Sequence, residues 1–192
     1  MPIIKSGDGE CDAILESSKL MLVAARTAPK TLGIDDVITL IVYGEEKEAI
    51  AKKMYEIAVE RNDEGFKRDA KNVEDSEAIV LIGIRGGKSA GINCGACGYK
   101  NCVEFEERQK VIVRDFIGPT CIFKALDLGI ALASAVRTAS LLNVDNRIMR
   151  TIGAAALKLN MMPEATIAIG IPLSAKGKNI YFDRQYSRLP AK

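Results

Sequence analysis

Four cysteines, Cys94, Cys97, Cys102 and Cys121, follow the spacing C-x2-C-x4-C-x18-C in a chain of 192 residues that contains no histidine. Thiolates are soft donors that select iron–sulfur clusters or zinc. With histidine absent every mixed Cys/His zinc arrangement is excluded, so a metal held here is held by sulfur alone. Gly95 and Gly98 lie between the first three cysteines. They allow the positive φ angles of a loop wrapped closely around an inorganic group, with N–H groups turned towards its sulfurs. Structural zinc sites usually draw ligands from two two-residue knuckles, and only Cys94 and Cys97 form such a pair here. A fifth cysteine, Cys11, stands far off in a stretch of helical pattern and reads as an ordinary small apolar residue.

Composition narrows the classes. At 48% apolar and 27% charged, with five tyrosines, five phenylalanines and no tryptophan, the chain reads as a globular protein with an aliphatic core. The net charge is +2, and no basic run is longer than Lys52–Lys53, which argues against a nucleic-acid partner. "LMLVAA" and "IAIGIPL" are too short to span a bilayer, and the polar start "MPIIKSGDGECD" is unlike a signal peptide, so the expected location is cytoplasmic. In that reducing compartment clustered cysteines read as metal ligands or redox thiols rather than as disulfides. "GIRGGKS" invites a phosphate-loop reading. Ile82 stands where that motif needs its first glycine, and a cysteine loop follows in place of a helix, so nucleotide hydrolysis is set aside.

The elements that must position the cysteines come from periodicity and breakers. Residues 10–29 have helical spacing and stop at Pro29, and "VITLIV" (37–42) reads as a buried strand. A long helix is predicted from Glu45 to a stop at Gly65, then a strand ending at Ile84. Gly83, Gly86, Gly87 and Gly91 let the chain bend into the cysteine segment, and "KVIVRDFIG" (110–118) reads as a third strand. Helices are predicted over 122–142 and 148–159, a strand over 165–173, and from there to the end an exposed arm with aromatics that packs on another part of the protein. No repeat or linker divides the chain. The expectation is one α+β domain, 1–192, with a cluster-binding segment at 85–124.

The gaps, two then four, match neither the plant-type nor the bacterial ferredoxin run, so spacing alone leaves iron–sulfur cluster, zinc and metal-free thiols open. "CGACGYKNC" with "GPTC" resembles the [4Fe-4S] motif of the iron–sulfur domains in corrinoid iron–sulfur proteins and in electron-transfer subunits of membrane redox complexes. That resemblance implies one cubane on all four cysteines. "AARTAPKTLG", "LGIALASAVRTASLLNV" and "TIAIGIP" resemble the flavin-binding nitroreductase fold, whose members are homodimers with FMN in the subunit interface. The whole chain is similar to an uncharacterised prokaryotic family of ferredoxin-domain-containing proteins.

Carried onto this chain, the nitroreductase likeness implies a flavin site at Arg26, Pro29, Lys30 and Arg184. Lys30 would face negative charge at the flavin ring, and Arg26 or Arg184 the phosphate. Lys30, Thr31 and Leu32 depart from the serine, asparagine and glutamine that those proteins carry after the alanine–proline pair. Surface solvation is the plain alternative for both arginines. The expected protein is therefore a nitroreductase-like redox homodimer with one [4Fe-4S] cluster per subunit, passing electrons to FMN or to a partner protein. The alternative is a non-enzymatic module whose all-cysteine metal site, iron–sulfur or zinc, is structural or senses redox state.

Overall fold

A computed structural model of the chain describes residues 3–182. Among these, four antiparallel strands form a sheet in the order β1-β2-β6-β5: β1 (Val37–Tyr43), β2 (Ala78–Ile84), β5 (Asp145–Asn146) and β6 (Ile167–Ser174). β1 pairs with β2 from Val37↔Ile84 to Tyr43↔Ala78, and β2 pairs with β6 from Ala78↔Leu173 to Ile84↔Ile167. Every residue of β2 is buried because helices cover both sheet faces. Alternation sends Ala78, Val80, Ile82 and Ile84 towards α1 (Ser6–Thr27) and α5 (Ile122–Leu141), and Ile79 and Leu81 towards the other face. On that second face lie α2 (Gly44–Arg61), α3 (Glu64–Glu74) and α6 (Arg150–Lys158), with Ile50, Met54, Phe66 and Ile152 in the core. Burying each such side chain contributes about 1.5–3 kcal/mol.

The long helix expected to run to Gly65 is two helices. Asn62 takes a left-handed φ of 51° and sends its N–H back to the carbonyls of Ala58 and Val59, which ends α2. Asp63 then caps α3, accepting from the N–H groups of Gly65 and Phe66. Gly65 therefore lies in the first turn of a helix and not at a stop.

α6 approaches β6 at backbone distance. A Cβ on Gly153 would fall inside the Ala168 carbonyl group, and one on Gly170 would collide with Ile152. Two hydrogen bonds between Met149 and Gly170 (2.8 and 3.1 Å) clamp the entry to α6 onto the same strand.

The third expected strand is replaced by a small hairpin, β3 (Val111–Ile112) and β4 (Ile117–Gly118). Asp115 at its turn is taken by Arg61 at 2.5 Å and by Arg150, which ties the hairpin to the ends of α2 and α6. The expected arm is described as far as Phe182, and this part packs on the core through Tyr181. Tyr181 is buried and its hydroxyl lies 2.9 Å from Ser76 Oγ, so that burial pushes the phenol up to about 12. Phe182 is exposed beneath Arg147. Arg184 and Tyr186 lie outside the described residues.

Candidate metal centre

The cysteine segment leaves the sheet at the end of β2 and returns at the start of α5, and its two ends are stitched together. Thr166 Oγ1 donates to Ile84 O (3.1 Å) and accepts from the Gly86 N–H (2.9 Å), while the Cys121 N–H donates to Gly86 O (2.9 Å). Gly86 has no room for a side chain, since a Cβ would lie 2.5 Å from Thr120 Cγ2 and 2.6 Å from Thr166 Oγ1. The excursion between residues 86 and 121 thus starts and ends at one point on the core.

Within it, Gly91, Asn93, Gly95 and Gly98 all take positive φ (73°, 55°, 72° and 89°). Asn93 holds Cys102 in a reciprocal clamp: its Oδ1 accepts the Cys102 N–H at 2.8 Å, and its own N–H donates to Cys102 Sγ at 3.3 Å. That N–H, with the Ser89 hydroxyl and the Gly91 N–H, holds the Cys102 thiol below its ordinary value. Cys102 also opens a helix that the pattern concealed, α4 (Cys102–Glu107), whose cap Asn101 accepts the Glu104 N–H at 2.9 Å. The thiols form no disulfides. Cys94 is exposed, Cys97 and Cys102 half-buried and Cys121 buried.

Cys97 and Cys121 belong to one small apolar cluster with Ala90, Tyr99, Phe105 and Phe123, separate from the two cores that sandwich the sheet. Tyr99 packs edge-on to Phe105, centroids 5.8 Å apart. Lys110 lies over the other ring, its Nζ 3.8 Å from the Phe105 centroid and 2.6 Å from the Phe105 carbonyl oxygen. Burial lowers the pKa of this ammonium, and the charges of Glu106 and Cys97 work against that.

The structure therefore gathers Cys97 and Cys121 around Phe105 and ties Cys102 to the residue beside Cys94. Among the described residues no three cysteine or carboxylate side chains lie close enough to hold a single ion. The donor set, four thiols with no histidine on a loop rich in positive φ, is chemically of the kind that holds an iron–sulfur cluster or zinc.

Of the candidate flavin residues, Arg26 and Lys30 make contacts within the chain. Arg26 Nη1 donates to Asp35 Oδ2 (2.5 Å) and to Val37 O (2.8 Å). Lys30 folds back on the end of α1, donating to the carbonyls of Arg26 (2.5 Å) and Ala28 (2.9 Å), with a side chain only 6% exposed. Both side chains lock the turn from α1 into β1, and exposed Pro29 lies between them. A flavin phosphate at Arg26 would compete with Asp35.

Sequence reasoning missed a charged group just beyond Cys121. Lys124, fully buried, sits 2.7 Å from Asp36 Oδ2, off the line of a good hydrogen bond, and Asp127 accepts from both the N–H and the hydroxyl of Thr31. The available signal was a lysine and an aspartate on the buried stripe of an apolar helix.

Residues 117–184 match a family described as "Uncharacterized protein containing a ferredoxin domain (DUF2148)", a stretch that includes Cys121 and begins beyond the other three cysteines. An uncharacterized protein of Archaeoglobus fulgidus is 45% identical over 182 residues, covering 95% of this chain and 97% of that protein. Among solved structures, the nitroreductase of Saccharomyces cerevisiae is similar with a TM-score of 0.56 (12% identity, 88% of this chain and 84% of that one). A Lactococcus lactis nitroreductase in complex with nicotinic acid gives 0.55 (12%, 99% and 91%). A Desulfitobacterium hafniense nitroreductase with bound FMN gives 0.54 (13%, 85% and 78%). At these identities the likeness establishes the fold: α+β and nitroreductase-like, as the sequence resemblance implied.

Proposed function

We propose an iron–sulfur redox role for this chain, which belongs to the uncharacterized family containing a ferredoxin domain: one [4Fe-4S] cluster held by Cys94, Cys97, Cys102 and Cys121 in the 85–124 segment of a single 1–192 domain. The observation that carries this reading is the closed cysteine excursion. Four thiols with no histidine among them sit on a loop of repeated positive φ, and the Asn93 N–H is directed at one of their sulfurs. A bound cluster supplies one-electron transfer. The chain's own part is to hold the sulfurs, to aim N–H groups at them, and to leave Cys94 at the surface, where a partner protein can approach within electron-transfer reach. Protein purified without oxygen is expected to be brown and to contain iron and sulfide in equal amounts. Stoichiometric zinc without iron would replace this reading with the structural-site alternative.

Flavin is the second element of the proposal, supported by the fold and opposed by the commitments of Arg26 and Lys30 described above. Fluorescence-quenching titration with FMN separates the two. Saturation below roughly 100 μM, about −5.5 kcal/mol, supports a flavin-linked oxidoreductase, and its absence leaves a cluster protein that serves a protein partner.

The protein is proposed to act as a homodimer in the cytoplasm. Ile122, Leu126 and Ile130 recur every four residues on the outer face of α5, and Leu20 and Val23 of neighbouring α1 are exposed with them. An apolar stripe of this kind on paired helices suits a second copy of the chain. Among the described residues no helix is long and apolar enough to cross a membrane. Light scattering at micromolar concentration is expected to give twice the chain mass. Replacing Leu126 and Ile130 together by glutamate is expected to give the single mass.

A further inference from the structure

We infer that Lys110 is the residue that sets the reduction potential of the proposed cluster, an inference that rests on the four-cysteine reading above. Its ammonium is held by two groups that carry no formal charge, the Phe105 carbonyl oxygen at 2.6 Å and the face of the Phe105 ring at 3.8 Å. Among the described residues it makes no ion pair within 4 Å, and the nearby Glu106 carboxylate accepts the Ser89 N–H. Its methylene stem runs past Gly87, with Cε 3.6 Å from where a Cβ would stand, so the loop base fixes the direction of the side chain. Phe105 shares its apolar cluster with Cys97 and Cys121. A cation in contact only with neutral groups, with the Glu106 carboxylate acting on it from beyond ion-pair distance, is thereby set beside the apolar cluster to which Cys97 and Cys121 belong.

Reduction of a bound cluster would add one electron to it and make and break no bond. A fixed positive charge in a partly desolvated setting favours the more negative state and so raises the potential. Removing the charge lowers it.

Lys110 also caps the end of α4 through the Phe105 carbonyl, so the test must separate charge from capping. The full chain, purified or reconstituted with iron and sulfide under anaerobic conditions, is titrated with dithionite and mediators while the visible and paramagnetic resonance spectra are followed. Lys110→Met is expected to lower the reduced-to-oxidised ratio at fixed potential at least tenfold, about 59 mV for one electron. Lys110→Gln keeps a donor for the carbonyl and is expected to match it. Lys110→Arg keeps the charge and is expected to stay near the wild-type value. A wild-type potential in either neutral variant overturns the inference, as does an equal shift in Lys110→Arg, which would mark a purely structural role. Wild-type protein that takes up no iron overturns the cluster reading itself, an outcome seen before any variant is titrated.

Discussion

Gly153→Ala is expected to lower the melting temperature by roughly 6–12 °C. The added methyl group would fall inside the carbonyl of Ala168, with Ile169 N only 2.8 Å away, so α6 cannot stay against β6 without lifting off its strand. Overpacking a well-filled core costs about 1–3 kcal/mol and more when backbone must move. Here the obstacle is the backbone of the strand beside the fully buried β2, and a loss of at least about 3 kcal/mol is expected, which at about 2–4 °C per kcal/mol gives the stated range. Gly129→Ala is the control. It too replaces a helical glycine, in α5, but nothing lies within 4 Å of the new atom, and it should stabilise by about 0.5–1 kcal/mol through helix propensity. Equal melting curves for the two variants would refute the close approach of α6 and β6.

Serine at any one of Cys94, Cys97, Cys102 or Cys121 is expected to abolish colour and iron content, because the proposed cube would then lack one of its four thiolates. Cys11→Ser should retain both, since Cys11 is an exposed residue of α1, remote in sequence from the loop. The four proposed ligands should differ in a second measurement, the thermal stability of metal-free protein. Cys94 is exposed and its replacement should leave the melting curve unchanged. Cys121 is 5% exposed and packed with Phe105 and Ala90, so a buried hydroxyl there is expected to cost about 1–3 kcal/mol. Iron retained at wild-type stoichiometry in any of the four would remove that residue from the ligand set.

What the sequence made legible was whatever depends on long apolar runs. β1, β2 and β6 are predominantly β-branched or aliphatic stretches because helices cover both sheet faces, and α5 and α6 announce themselves by alanine and leucine. What it concealed turns on single residues. The division of α2 from α3 rests on Asn62 entering the left-handed region and Asp63 capping at once, two adjacent polar residues that leave the surrounding helical pattern intact. The hairpin at 111–118 has the pattern of one strand because its turn is held by Arg61 and Arg150, distant in sequence from Asp115. The four cysteines were visible by type. Asn93 and Lys110, which arrange their surroundings, were not, because their roles depend on a hydrogen bond and a ring contact made only when the loop folds back. Arg26 and Lys30 show the converse: as letters they are free cations, and in the fold they are a clasp on the end of α1.

The single stitch that joins residue 86 to residue 121 bears on the order in which such a protein is made. An excursion whose ends already meet on a formed core imposes no closure cost on the rest of the chain when its own interior is loose. The sheet and its two helical layers draw nothing from sulfur or iron, since Cys97 and Cys121 pack in a cluster apart from both large cores. Synthesis and folding of the sheet and its helical layers can therefore finish before any metal arrives. A chain that had lost the proposed cluster to oxygen would remain a competent recipient, so that repair would require delivery of iron and sulfide and not a new polypeptide.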